Sequence, residues 1–561
     1  MAAASVSGDE EAHIHGNSGL KRGGWITFPF MAATLLGLTI TSFGWLVNLI
    51  IFLINEFNIK SIAAAKISSV VNGCLCMFPV VAAIVSDSFF GTIPVISSSA
   101  FISLAGIVLL TLTASIHSLR PRPCENTSSL CQSPSRLQLG ILFTALSLTS
   151  IGTGGTRFTL AAAGANQYSK PKDQRSFFNW FFFTMYLGAV IGATAVVYVE
   201  DNISWRFGFG LCVAANLISF VVFISGKRFY KNDKPLGSPY ASLLRVIVAA
   251  TLKRQAAISS KEEDYHHEGG EKAMPSKSFR FLNRAAMKAG GDIEPDGSVC
   301  KPWRIATVQQ VEDFKDVVRV LPLWSASILL STPIAVLISL TVLQALVMDR
   351  QLGPHFKIPA GSLQVIILIS TCVFLILNNW FLYPLYQKLT RKPLTLLQRI
   401  GIGHVLNILS MAVSAIVEAK RLKILQNHHV IGSSVAPMPV LCLFPPLVLA
   451  GICEAFSFPA NVALCYQEFP ESLKSTATSM TSVVIGISFY VSTALIDLIQ
   501  RTTSWLPDDI NHGRVDNVYW VLVIISVVNL CYFLVCAWFF RYKNLGDDNG
   551  QDDVSASTNF S

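Results

Sequence analysis

Few charged side chains lie inside the long apolar segments of this chain, and two of them are far from the segment ends. Arg157 follows the glycine-rich run Gly152–Gly155, and Glu454 lies within a later apolar segment. A charge at the centre of a bilayer costs at least about 2.5–3.5 kcal/mol, so such residues are candidates for a functional site. The glycines would let a neighbouring helix pack closely while the guanidinium points into a helix bundle. Arginine keeps its charge at any pH, and its planar fork suits a planar oxyanion.

The same two residues also allow a second interpretation, a structural ion pair, because buried charges seldom lack a partner. In the first interpretation Glu454 exchanges protons, and in the second it stays ionised beside Arg157. Hydroxyl groups near the arginine would replace part of the hydration shell of a bound anion, and the candidates are Thr153, Thr184 and Tyr186.

Two further charged residues, Lys66 and Asp497, lie near the ends of apolar segments. A lysine at such a position is expected to extend its ammonium group to the membrane surface. For Asp497 we expect a capping or surface role rather than a functional one.

The composition explains why so few charges are present. The chain has 561 residues, of which 52% are hydrophobic and 14% are charged, and its mean hydropathy is +0.51. Soluble proteins carry about 25% charged residues, so the composition indicates a membrane protein. The net charge of +9 lies mostly in loops between apolar runs, which is typical of a membrane topology signal rather than of nucleic-acid binding.

Apolar segments divide the chain into two groups of six. The predicted spans are 27–54, 62–85, 93–115, 138–163, 178–200 and 207–226, followed by 318–348, 361–386, 400–419, 438–464, 477–500 and 518–540. This layout predicts a tail at 1–26, a six-helix bundle at 27–226, a central loop at 227–317, a second bundle at 318–541 and a tail at 542–561. The fold class is therefore an all-α integral membrane protein with the major facilitator architecture.

The central loop carries sixteen Lys or Arg residues, and its segment 238–255 is amphipathic. An amphipathic helix of this kind is expected to lie along the membrane surface. Basic residues close to the span ends, such as Lys227, Arg228 and Arg304, predict that the loop and both termini face the cytoplasm.

The loop between the third and fourth spans would then face the opposite side. It contains the glycosylation sequon at Asn126, together with Cys124 and Cys131. These two cysteines either form one disulfide bond or remain free thiols.

Several strings in the chain resemble the plant nitrate and peptide transporter family, which is the proton-dependent oligopeptide transporter branch of the major facilitators. They occur in order at Asp87–Gly91, Gly152–Gly155, Gly164–Tyr168, Phe177–Trp180, Phe279–Asn283, Trp303–Arg304, Thr307–Glu312, Leu321–Trp324 and Glu454–Phe456. The segment Gly24–Leu38 is similar to the nitrate excretion subgroup in particular. The resemblance implies a gating or structural role for Asp87 and Gly91. It also places Glu454 in the substrate cavity, with Arg157 where relatives usually have lysine.

The departures from the family pattern concern proton coupling. Coupled members carry two glutamates and a basic residue in the first span, where this chain has Leu35, Leu38 and Thr39. The seventh-span histidine of a nitrate-importing relative falls at Ile334. Since none of these side chains exchanges a proton near neutral pH, the resemblance implies that the usual coupling groups are missing.

In the eighth span, an Asp-Arg pair that is common in the family is replaced here by Asn379 and Trp380. This is the third set of ionisable groups that the chain is expected to lack.

These observations predict a transporter that moves a small inorganic anion by alternating access, passively and driven by voltage. Nitrate efflux across the plasma membrane is the expected activity. The alternatives are a chloride carrier, a proton-coupled peptide or nitrate symporter, and an anion sensor that does not transport. Enzymatic activity, a cofactor and a metal site are not expected, because the sequence shows no cluster at metal-ligand spacing. The expected partners are the anion and the lipid bilayer, while the sequence leaves the oligomeric state open.

Overall fold

Helices account for most of the described chain. The computed structural model describes residues 23–122, 132–157, 159–168, 170–231, 239–259, 261–267, 274–289, 300–354, 356–427, 435–468 and 474–540. Within these residues the α-helices before the central loop are α1 (Phe28–Val47), α2 (Leu49–Phe57), α3 (Ser61–Val85), α4 (Thr92–Ser115), α5 (Arg136–Arg157), α6 (Thr159–Ala165), α7 (Pro171–Ile191), α8 (Val197–Asn202) and α9 (Trp205–Ser225). The central loop contains α10 (Pro239–Leu252), and the later helices are α11 (Val308–Leu346), α12 (Gln364–Leu377), α13 (Tyr383–Thr390), α14 (Leu396–Asn427), α15 (Phe444–Glu468), α16 (Lys474–Thr502) and α17 (Val515–Phe539).

Four short strands lie between the later helices. The strands are β1 (Met348–Asp349), β2 (Gln351–Leu352), β3 (Phe356–Lys357) and β4 (Ala436–Pro439). β1 pairs with β4 in parallel, and β2 pairs with β3 in an antiparallel hairpin. They join loops at one end of the second bundle and are too short to form a separate layer.

Twelve helical segments of the described chain are long and apolar enough to cross a membrane, six before the central loop and six after it. The predicted all-α membrane fold is confirmed. Three spans contain a π-helical turn, at Ser86–Phe90, Gly192–Val196 and Asn378–Leu382.

Several spans differ from their predicted bounds, and two of these differences have a local explanation. The first ends at Val47, because the chain bends at Asn48 before α2 begins. The seventh begins at Val308, ten residues earlier than predicted. Its start is fixed by a capping box, in which the Thr307 hydroxyl accepts from the Gln310 backbone N–H and the Gln310 side chain accepts from the Thr307 N–H.

The spans form two bundles, which we call the N-bundle (residues 24–228) and the C-bundle (residues 308–539). Twelve crossings place the start of α1 and the end of α17 on one side of the membrane, which we call the terminal side. The opposite side is the distal side. α3 therefore begins on the distal side, and α16 runs toward it. These two helices form the main contact between the bundles.

The glycine run of α5 provides close helix packing, as the sequence predicts. A methyl group on Gly152 would lie 2.2 Å from the backbone nitrogen of Ser103 in α4. On Gly155 it would lie 2.3 Å from the hydroxyl of Ser99. Only glycine lets these two helices approach so closely, and the approach fixes α5 just before Arg157.

The central loop is a packed unit in its described parts. α10 buries Val246 and Ala249 against the turn at Arg280–Ala286 and the start of α11. Lys315 is fully buried, and its ammonium group contacts the Glu312 carboxylate at 2.7 Å. The amphipathic helix therefore exists, with one apolar face covered by protein. Its position on the membrane surface stays a prediction.

A buried ion pair stabilises the distal end of the C-bundle. Glu418 and Arg421 both have fully buried side chains, and the guanidinium donates to both carboxylate oxygens at 2.9 and 2.7 Å. The Arg421 guanidinium also donates to the Asn511 side chain at 2.6 Å, and the Gln344 amide donates to the Glu418 carboxylate at 2.6 Å. Every charge in this cluster has hydrogen-bond partners, which is the condition for tolerating charge in the interior.

Candidate substrate-binding site

A cavity of about 270 Å³ lies between the two bundles. Its walls are mostly apolar, with hydroxyl groups interspersed, and most of its lining comes from α1, α5, α7, α11, α15 and α16. Among the described residues that line it, Arg157 and Glu454 are the only charged side chains. Small-molecule sites have this character, an apolar cleft with a few polar groups that fix orientation.

Arg157 and Glu454 lie on opposite bundles. Arg157 is the last residue of α5 in the N-bundle, and its side chain is exposed to the cavity. Glu454 projects from α15 in the C-bundle and is half-buried, with the Thr371 hydroxyl beside its carboxylate. No ion pair within 4.0 Å joins the two residues in the described chain, so the permanent pair that the second interpretation predicts is not present. Arg157 is free to contact a ligand.

Two of the three predicted hydroxyl residues line the cavity. Thr153 does so one turn before Arg157, and Tyr186 lies close enough to both Arg157 and Glu454 to experience both charges. Thr184 does not line it, and its hydroxyl donates to the Trp180 carbonyl at 2.8 Å. Two residues correspond to about 200° around a helix, so Thr184 and Tyr186 must face different sides.

The positions of the missing coupling groups do line the cavity. Leu35, Leu38 and Thr39 project from α1, and Ile334 projects from α11. Each of the four is at most 8% exposed. At the positions where coupled family members are expected to carry ionisable groups, the cavity wall therefore consists of apolar side chains and one threonine hydroxyl.

The residues that replace the Asp-Arg pair of the eighth span differ from the four above because they do not line the cavity. Asn379 and Trp380 lie outside the cavity lining, and Trp380 is 85% exposed on the outer surface of the bundle. The buried residue of this π-helical turn is Asn378, whose amide donates to the Ala455 carbonyl at 3.5 Å. The helix turns both residues away from the cavity, so this substitution does not change the charge of the cavity wall.

One polar cluster of the C-bundle was missed in the sequence. Asn461 accepts a hydrogen bond from the Ser327 hydroxyl at 2.9 Å and donates to the Ser457 carbonyl at 3.0 Å. Glu454, Ser457, Asn461 and Cys465 all line the cavity from α15. Their spacing of three, four and four residues describes one helix face, and it was readable from the sequence.

Some predicted residues are described only in part. The backbone N–H of Gly91 donates a hydrogen bond to the Ser86 carbonyl at 2.8 Å. Gly91 has a φ of 77°, a backbone conformation that favours glycine. For Asp87 the backbone is described and the side chain is not. Asn126, Cys124 and Cys131 lie outside the described residues, and so does any bond between the two cysteines.

Comparison with known proteins identifies the family. The model of the POT family matches residues 93–512. The chain belongs to the POT family. The Arabidopsis thaliana protein NRT1/PTR FAMILY 2.7 is 70% identical over 558 residues, which cover 99% of this chain and 100% of that protein. NRT1/PTR FAMILY 2.3 of the same plant is 66% identical over 563 residues, with coverage of 99% and 100%.

Solved structures of POT-family proteins share the fold. An auto inhibited POT family peptide transporter matches with a TM-score of 0.69 at 15% identity, over 92% of this chain and 97% of that one. The POT family transporter PepTSo matches with a TM-score of 0.68 at 15% identity, over 92% and 98%. The family prediction is confirmed, and this POT-family protein is a multi-pass membrane transporter rather than an enzyme.

On the distal side of this POT-family protein, the two bundles are in contact along α3 and α16, and we call this contact the seam. Lys66 of α3 pairs with Asp497 of α16 at 2.9 Å, and Arg350 approaches Asp201 at 3.4 Å. Lys66 and Asp497 are therefore each other's partner across the seam, a contact that their separate positions near span ends do not predict. The cavity lining continues toward the terminal side through Leu160 and Cys465. In this structure the seam is closed on the distal side, and the cavity lies on its terminal side.

Proposed function

We propose that this POT-family protein carries a small monovalent anion, with nitrate as its substrate and efflux as its direction. The observation that supports this proposal is the unpaired guanidinium of Arg157 in a cavity whose other charged side chain is on the opposite bundle. A planar guanidinium can donate two parallel hydrogen bonds to a planar oxyanion. Thr153 and Tyr186 supply hydroxyl groups beside it.

We also propose that transport is passive. Leu35, Leu38, Thr39 and Ile334 line the cavity where coupled relatives are expected to carry ionisable groups. An interior potential of −100 mV pushes a monovalent anion outward with about 2.3 kcal/mol, which sustains roughly a fiftyfold gradient without a coupled proton. Efflux needs no coupling group, whereas import against that potential does.

The mechanism follows from the placement of the two charges. In the distally closed state an anion enters from the terminal side and binds Arg157. The bundles then rock, which opens the seam between α3 and α16 and closes the terminal side. Because Arg157 and Glu454 are on different bundles, their separation changes in this motion, and the Glu454 carboxylate can displace the anion from Arg157 at the end of the cycle.

A second candidate function is favoured by the same geometry. Unpaired opposite charges on facing walls provide one site for each terminus of a zwitterionic peptide, and solved structures with this fold include peptide transporters. The missing coupling groups argue against uphill peptide uptake. Chloride is the alternative anion, since a single arginine also attracts a halide.

The deciding experiment uses proteoliposomes that contain the full chain. Nitrate, chloride and a labelled dipeptide are each tested for flux, first under an imposed voltage at equal pH and then under a pH gradient at zero voltage. We expect nitrate flux that follows voltage and no nitrate accumulation driven by the proton gradient. A reversal potential that shifts steadily with pH would contradict passive transport. Nitrate binding without any flux would instead support a sensor.

We further propose that the termini and the central loop face the cytoplasm and that the protein is in the plasma membrane. Sixteen Lys or Arg residues in the central loop support this orientation. An epitope tag at either terminus should be accessible to antibody only after the plasma membrane of intact cells is permeabilised. Labelling of intact cells would overturn the orientation.

A further inference from the structure

Among the polar contacts that join the bundles along α3 and its N-cap, three mark successive levels from the cavity toward the distal surface. The hydroxyls of Ser69 and Ser339 lie 3.1 Å apart, directly after Ile338, which lines the cavity. The next contact toward the distal side, about one helical turn along α3, is the ion pair of Lys66 and Asp497, whose charged atoms lie 2.9 Å apart. Lys60 and Asp508 form the outermost pair at 2.6 Å. An anion that leaves the cavity through the opened distal seam must therefore pass Lys66.

Asp497 has two cationic partners, and they are on different bundles. Its carboxylate lies 2.9 Å from the Lys66 ammonium across the seam. It also lies 2.7 Å from the guanidinium of Arg501, one turn later in its own helix. When the bundles separate as rigid bodies, Asp497 and Arg501 move together and the contact with Lys66 is lost.

The loss of that contact leaves one charge without its partner. The Lys66 side chain is 24% exposed even in the closed seam, so water already reaches part of it. Its other contact, with Gln500 at 3.0 Å, is also across the seam and is lost in the same motion. In the open seam, the N-bundle therefore carries the unpaired ammonium group of Lys66, while Asp497 and Arg501 on the C-bundle neutralise each other.

We propose that Lys66 is a second anion-binding site, which forms at the distal mouth only when the seam opens. This inference rests on the proposed anion transport. Asp497 releases Lys66 to the anion in the open state and takes it back as the seam closes, which expels the anion. The site lies on the path of the cargo and sets the affinity on the distal face alone.

The test measures nitrate currents in excised patches from cells that express the full chain, with the nitrate concentration set separately on each face. The main variant is Lys66→Gln, which removes the cation while its amide can still donate a hydrogen bond to Asp497, and Asp497 keeps its pair with Arg501. We expect the half-saturating nitrate concentration on the distal face to rise about fivefold, the effect of one charge at contact distance in water. The value on the terminal face should not change.

A purely structural role for the Lys66–Asp497 pair predicts the opposite change in the half-saturating nitrate concentration on the distal face. If the pair only held the seam closed, its weakening would favour the distally open state and lower the half-saturating concentration on the distal face. A decrease there, or no change, overturns the proposal. Lys66→Arg keeps the cation and should recover most of the distal nitrate affinity that Lys66→Gln loses, and Lys60→Gln is a matched control from the same seam. A wild-type chain without nitrate current from either face would instead contradict the proposed function.

Discussion

Two pairs of opposite charges in this protein have different environments. Glu418 and Arg421 are one turn apart on α14, are fully buried and are joined by two hydrogen bonds. Arg157 and Glu454 are on different bundles, face the same cavity and are not joined. The first pair lies within one rigid unit, and the second spans the seam that must move.

The difference shows what charge placement does in a membrane transporter. A buried charge that is paired inside one bundle keeps its partner through the whole cycle, so it can only stabilise that bundle. A charge that faces the other bundle across a water-accessible cavity has no fixed partner. It is available to a ligand and to a partner that changes with conformation, which is the requirement for a binding site that releases its cargo.

The largest expected effect concerns the buried pair. Arg421→Ala should destabilise the protein by about 3–5 kcal/mol, because it leaves the Glu418 carboxylate buried without a cation. The measurement is thermal unfolding of the purified protein in detergent. Replacement of both residues by apolar residues of similar size, Glu418→Leu with Arg421→Met, should recover part of the loss. If Arg421→Ala unfolds like the wild type, the pair has no structural role.

Arg157→Ala should impair nitrate binding and leave stability nearly unchanged, in contrast to Arg421→Ala. We expect nitrate affinity to fall about tenfold to a hundredfold, as for the loss of a charged hydrogen-bond donor of about 1.5–3 kcal/mol. The unfolding temperature should stay near the wild-type value, because Arg157 has no ion-pair partner among the described residues. Flux in proteoliposomes and thermal unfolding are measured on the same preparation. Arg157→Lys should retain part of the flux, and normal transport by Arg157→Ala would contradict the site.

A smaller effect is expected at Glu454. Protonation of its carboxylate changes the charge of the cavity from zero to +1, so acid on the terminal side should increase nitrate affinity by about 1 kcal/mol, roughly fivefold. Glu454→Gln should remove this pH dependence and preserve flux driven by voltage. The readout is the half-saturating nitrate concentration across a pH series. An unchanged pH profile in Glu454→Gln would assign the effect to another group.

The smallest effect is expected at the distal surface. Lys60 and Asp508 have side chains that are 74% and 45% exposed. Their hydrogen bond raises the pKa of Lys60 above its ordinary value. Exposed pairs contribute little to stability because water competes for both partners. Lys60→Ala should therefore give no resolvable change in unfolding temperature, in contrast to Arg421→Ala, and a clear decrease would show that the seam is stronger than its exposure implies.

Local sequence features were sufficient for the fold and for the main charges of the site. Apolar segments of sufficient length must form helices in a bilayer, because backbone groups there have no water to bond. Arg157 and Glu454 were recognised because a charge in such a segment is costly. The glycine run before Arg157 predicted a close helix contact, and the structure contains it at Ser99 and Ser103.

The sequence by itself therefore determined the twelve spans, the family and the two charged cavity residues, since each depends on composition or local order. Only the tertiary structure decided which side chains meet. It turned Thr184 and Trp380 away from the cavity. It also brought Lys66 to Asp497 across 431 residues of chain. The physical reason is that the rotation of each helix and its neighbours are set by packing between distant segments, which no single apolar segment specifies.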